Sequence, residues 1–110
     1  MFIILISYIK PLEQVMQFRE QHINFLKGYY SSGRFLISGP KDPMDGGVII
    51  SLGKNIEEVS GIASQDPFYI NGVATFSIIE FTPKWYNSYV APFAKSGIAI
   101  TADVDLTQYI

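Results

Sequence analysis

His22, the chain's single histidine, sits in "REQHINFL" (residues 19–26), and imidazole is the side chain that changes charge between about pH 5 and 8. To serve as a general acid or base the ring needs a second group that fixes its tautomer and steadies the imidazolium. Asp66, in "DPF" (66–68), is the strongest candidate for that group. Ser38, Gly39 and Pro40, in "SGP", offer a hydroxyl and accessible backbone at a strand end, where glycine permits close approach by a ligand. Arg19 and Phe68 complete the candidate substrate contacts. Each of these features also has a purely structural use. A lone histidine on an apolar stripe is commonly a satisfied core residue, "DPF" reads equally as a helix stop with a turn, and "SGP" as a turn alone. Ser38 is expected to hydrogen-bond rather than attack, because no G-x-S-x-G elbow surrounds it.

Other chemistries have little to build on. The chain has no cysteine, which removes disulfides, thiolate metal sites and a cysteine nucleophile. Asp42 and Asp45 do not follow the calcium-loop pattern, and the glycines form neither G-x-G-x-x-G nor a Walker loop. No metal and no cofactor are therefore expected. The formal charge of −2 is scattered along the chain, without the basic stripe that a nucleic-acid backbone requires. The aromatics Phe68, Tyr69, Trp85, Tyr86 and Tyr89 either line a ligand site or serve core and interface packing.

The elements that must position these residues follow from periodicity. The chain of 110 residues has the size of a single domain and should bury roughly 65% of its unfolded surface. "MFIILISYI" is read as a buried strand over Phe2 to Ile9. It lacks the positive flank and cleavage site of a secretion signal and is too short to span a bilayer, so a cytoplasmic protein with no membrane partner is expected. From Leu12 to about Ser32, Val15, Phe18, His22, Phe25, Leu26 and Tyr29 recur at helical spacing. "RFLIS" (34–38) is a second strand broken by Gly39-Pro40, and Asp45-Gly46 favours a reversal into a third, "VIISL" (48–52). Asn55 is placed as the N-cap of a second helix ending near Gln65, since Asp66 precedes a proline and is pushed out of the helical region. "VATFSIIEF" (73–81) is the fourth strand. The second strand and second helix run in one direction, so Ser38 and Asp66 should finish at the same edge, where the first helix begins. His22 lies about 15 Å along that helix from Leu12, which makes a meeting with Asp66 possible.

This order, β-α-β-β-α-β, is an α+β, ferredoxin-like arrangement with both helices on one sheet face. The other face needs a cover. Hydrophobic residues make up 48% of the chain against 16% charged, a surplus that a homodimer would bury. Residues 84–110 form an extra C-terminal segment beyond a 1–83 domain. It is expected to carry a short helical turn before Pro92 and an added strand at "GIAIT", and to pack on its own domain or across a dimer.

Four pieces in this order, "REQHINFL", "LISGP", "GVIISL" and "ASQDPFYINGV", resemble the YciI-like (YCII-related domain) family over roughly residues 1 to 83. Its members are similar in carrying H-x-x-x-L on the first helix, then S-G-P, then D-P-F with a following glycine. The resemblance implies a dimeric α+β barrel and a His–Asp pair in a pocket, carried here by His22 and Asp66 with Ser38 nearby. Related members include a dehydrochlorinase of a chlorinated hydroxyhydroquinone, and muconolactone isomerase shares the wider fold. The expected function is thus a cofactor-independent lyase or isomerase acting on a small polar or aromatic substrate. The alternatives are a non-catalytic small-molecule-binding or interaction module with a structural His–Asp pair, or a haem- or oxygen-handling relative with His22 as axial ligand. The segment after Pro83 is longer than the family's usual short end.

Overall fold

The computed structural model describes residues 1–94. Strand β1, Phe2–Tyr8, turns Phe2, Ile4 and Ile6 into the core and leaves Ile3 and Leu5 half-buried on the opposite face, the period-two alternation of a strand covered on one side. It lies beside β3, Gly46–Ser51, and β4, Ala74–Glu80, while β2, Phe35–Pro40, forms the far edge. The sheet order is β2-β3-β1-β4 with every neighbouring pair antiparallel, which is the expected ferredoxin-like topology. The helical segments supply Val15, Val59, Ile62, Ala63 and Phe68 to a core shared with Phe2, Ile4, Ile6, Phe35 and Ile49.

Three boundaries differ from the sequence reading. The first helix is two helices, α1 (Leu12–Met16) and α2 (Arg19–Ser31), with Phe18 at φ −107° and ψ 10° between them, a bridge-region conformation that interrupts regular winding. The break lets the two pieces sit at different depths: Val15 of α1 is wholly buried, whereas α2 has no fully buried residue. β2 does not stop at Ser38 but pairs through Gly39 and Pro40, opposite Val48 and Gly47. Proline is tolerated there because β2 is an edge strand and the missing donor costs no inner ladder bond. β3 correspondingly starts at Gly46, where a Cβ would run into the Ile6 carbonyl. That close approach to β1 requires glycine.

α3, Ile56–Ala63, is capped by Asn55, whose Oδ1 accepts a hydrogen bond from the Glu58 amide at 2.9 Å. A short helix that the sequence reading passed over, α4 (Pro67–Ile70), follows at once. Beyond β4 a 3₁₀ turn at Ser88–Val90 leads into α5, Ala91–Ala94. The anticipated turn before Pro92 is present, and the helix runs on through Pro92 because a first-turn proline has no intrahelical bond to lose. The expected strand at 97–101 lies outside the described residues.

On the face away from the helices the register aligns Ile37, Ile50, Ile3 and Ile79 in one row across all four strands. Ile37 is 64% exposed and Ile79 48%. Ile3 and Ile50, at the centre of the row, are half-buried.

Candidate active site

Asp66 explains how the chain builds the site. Its neighbour Pro67 forces it into extended backbone, φ −61° and ψ 124°, and Pro67 itself occupies the first turn of α4, where no donor is needed. The carboxylate then folds back on its own chain, and Oδ1 accepts the Phe68 amide at 2.9 Å. The same oxygen accepts from His22 Nδ1 at 2.8 Å. The two residues, 44 positions apart in sequence, thus meet: the helix stop and the imidazole partner are one group. Phe68, held by that cap, lays its ring on the imidazole with centroids 4.1 Å apart and planes 11° from parallel.

Burial sharpens the pair. Asp66 is 4% exposed and the His22 side chain 15%, so the hydrogen bond works in a low local dielectric rather than in water. Nδ1 is committed to the carboxylate, which leaves Nε2 as the ring nitrogen available to a ligand.

His22 borders a cavity of about 250 Å³ between α2 and the sheet. Arg19, Ser38, Gly39, Pro40 and Phe68, all singled out from sequence, line it as well. Asp66 does not; it stands behind the imidazole. Ser38 Oγ lies 2.6 Å from the Tyr30 hydroxyl, so α2 holds the serine in place from above. Arg19, on the first turn of α2 and exposed, has no carboxylate within ion-pair distance among the described residues.

Sequence reasoning missed four contributors. Tyr8 ends β1 at the cavity wall, and burial, followed by the nearby Asp66 charge, pushes its phenol above the usual tyrosine range. It therefore stays a neutral hydrogen-bond donor at physiological pH. Its signal was a single polar-tipped aromatic at the end of an otherwise aliphatic run. Met16 and Met44 supply thioether walls, and Tyr30 anchors Ser38; none of these three stands out by type or spacing. Tyr69, Trp85 and Tyr89 do not line the cavity and are exposed. No cluster of three or more histidine, aspartate or glutamate side chains suited to a metal occurs among the described residues, and no helix among them is long and apolar enough to cross a membrane.

Comparison with known proteins agrees with this architecture. The chain is similar in structure to a 5-chloro-2-hydroxyhydroquinone dehydrochlorinase (TftG) from Burkholderia phenoliruptrix AC1100, solved as a complex with 2,5-dihydroxybenzoquinone. The TM-score is 0.61 at 18% identity, over 74% of this chain and 93% of that one, a likeness of fold. No curated protein matches the sequence. The family model of the YCII-related domain matches residues 1–82. With the match extending over the whole sheet and both parts of the His–Asp pair, the chain belongs to the YCII-related domain family.

Proposed function

We propose that the protein is a cofactor-independent lyase or isomerase in which His22 moves a proton on a small polar or aromatic substrate. The observation that carries this reading is the hydrogen bond from His22 Nδ1 to a buried carboxylate, on a ring that borders a ligand-sized cavity. Nε2 takes a proton from the substrate and the imidazolium forms against Asp66. In a lyase reaction the electron pair of the broken bond becomes a new double bond and the leaving group departs with its own pair. In an isomerase reaction the imidazolium returns the proton to another substrate atom. The hydroxyls of Tyr8 and Ser38, on residues that line the cavity, would donate to an oxygen that gains charge on the way. Such acid/base assistance typically contributes about 10²- to 10⁴-fold in rate.

The neighbour's named substrate supplies a first assay: chloride release from 5-chloro-2-hydroxyhydroquinone, extended to a panel of small lactones and hydroxyarenes. His22→Ala should abolish whatever turnover is found while leaving the circular dichroism spectrum intact; a fully active variant ends the reading. Asp66→Asn keeps an oxygen able to cap α4 but removes the charge, and should lower kcat by about 10²-fold or more with little loss of stability.

A second reading, a binding module with a structural His–Asp pair, draws on the double use of Asp66 Oδ1. It predicts that both substitutions chiefly lower the melting temperature and leave ligand affinity unchanged. In either case we assign the apolar row of Ile37, Ile50, Ile3 and Ile79 to contact with a second copy of the chain. Sedimentation equilibrium tests this, and a monomer at micromolar concentration removes it.

A further inference from the structure

We infer that the cavity selects a compact organic anion, a carboxylate or an ionised enol on an apolar, ring-sized body, and that Arg19 is the residue that sets this preference. The inference deepens the reading above and rests on its assignment of this cavity as the substrate site.

The charge inventory of the wall comes first. Among the described residues Arg19 is its only permanently charged side chain, and no aspartate or glutamate lines it. Arg19 also lacks an ion-pair partner among the described residues, so its five donors are not committed to a protein carboxylate. Arg34 and Lys41, by contrast, are engaged: Arg34 contacts Glu58 at 2.6 Å and Lys41 lies 3.6 Å from Asp45. Arg19 further stands in the first turn of the 13-residue α2, whose N-cap position is Phe18 and has no side-chain cap. The amides at that end carry the positive pole of the helix, which adds to the guanidinium field. The negative charge behind the imidazole, on Asp66, is hydrogen-bonded to that ring and to the Phe68 amide.

The remaining wall describes the rest of the ligand. Nine of the fifteen lining residues are aliphatic, proline, methionine or phenylalanine, among them Ile6, Met16, Leu26, Met44 and Val48. Methionine walls adapt to a ring without a fixed shape. The volume of about 250 Å³ falls just under the range of roughly 300–1,000 Å³ that suits drug-sized molecules, so the body is small. Tyr8, protonated, offers a hydroxyl donor for a further oxygen, and Ser38, paired with Tyr30, adds a second hydroxyl to the wall. A guanidinium and two hydroxyl-bearing residues beside an apolar space favour a delocalised oxyanion on a hydrocarbon frame.

Calorimetric titration at neutral pH tests this with two pairs of probes. Benzoate against benzamide isolates a carboxylate; 2,5-dihydroxybenzoquinone against 2,5-dimethoxybenzoquinone isolates an acidic enol. At least one anion should bind about tenfold or more tightly than its neutral partner, as expected for a charge-assisted hydrogen bond, and which pair shows the gap identifies the source of the anion. Arg19→Gln, a good helix former on an exposed turn, should erase the gap and leave the neutral affinities unchanged. Arg19→Lys should restore part of it, since lysine keeps the charge but not the planar fork. Equal binding of anion and neutral partner, a gap that survives Arg19→Gln, or no binding of any probe at millimolar concentration overturns the inference. His22→Ala separates it from the proton-transfer reading: anion preference should persist in that variant even as turnover is lost. If turnover persists too, the catalytic role fails while the anion site stands.

Discussion

Where β1 begins, the space between sheet and helices is filled. Phe2, Phe35, Ser51 and Val59 are all buried there, and Gly53 is glycine because a Cβ would run into the Val59 side chain. Where β1 ends, the same space stays open: Ile6, Pro40 and Gly47 bound the cavity, and a Cβ on Gly47 would meet only the Gly39 carbonyl, at 3.3 Å. Both ends use a small residue, for opposite purposes. At Gly53 the missing side chain lets two elements close; at Gly47 it keeps them apart. A cavity in a protein of this size is therefore a local omission in an otherwise ordinary packed layer, and the stability of the fold resides at the other end.

Substitutions at the two ends should separate stability from binding. Phe2→Ala removes a large, 1%-exposed side chain and should cost about 3–5 kcal/mol in urea denaturation. Affinity for whichever anion binds should be unchanged, since Phe2 lies four strand residues, about 13 Å, from Ile6. A parallel loss of binding would show that the two ends act as one unit. Gly47→Val makes the converse cut. Its branches enter the cavity beside Ile6 and Pro40, so binding should disappear, while overpacking against the Gly39 carbonyl costs about 1–3 kcal/mol. Retained binding would move the ligand away from the sheet floor.

Tyr8 gives the smallest effect and a pH signature. Its folded-state pKa is raised above 10.0 by burial and by the Asp66 charge, so the native state holds this proton longer than the unfolded chain does. Stability from this source is complete below pH 10 and declines as pH rises toward the raised value. Tyr8→Phe should flatten that decline in denaturation midpoints measured across the alkaline range. An unchanged slope would assign the decline to other tyrosines.

The sheet was largely legible in the sequence because Phe2–Ile6 and Ala74–Glu80 carry strong strand patterns and Asn55 caps a helix in the ordinary way. The break at Phe18 was not, because Val15, Phe18 and His22 keep helical spacing straight through it; the difference in depth that separates α1 from α2 is a tertiary property. α4 was hidden for a similar reason: "DPF" carries a helix stop and a helix start in the same three residues, and only the stop was read. His22 and Asp66 were identifiable by type and by converging chain directions. Tyr8, Met16 and Met44 were not, since the depth of a wall is decided by what the opposite strand leaves out, here at Gly47.

One oxygen atom, Asp66 Oδ1, holds both the start of α4 and the His22 ring. Local unwinding of that four-residue helix would release Phe68 and the imidazole together, so the orientation of the ring is tied to whether a single turn is wound. Lengthening the side chain by one methylene, Asp66→Glu, would preserve the charge yet separate those two duties.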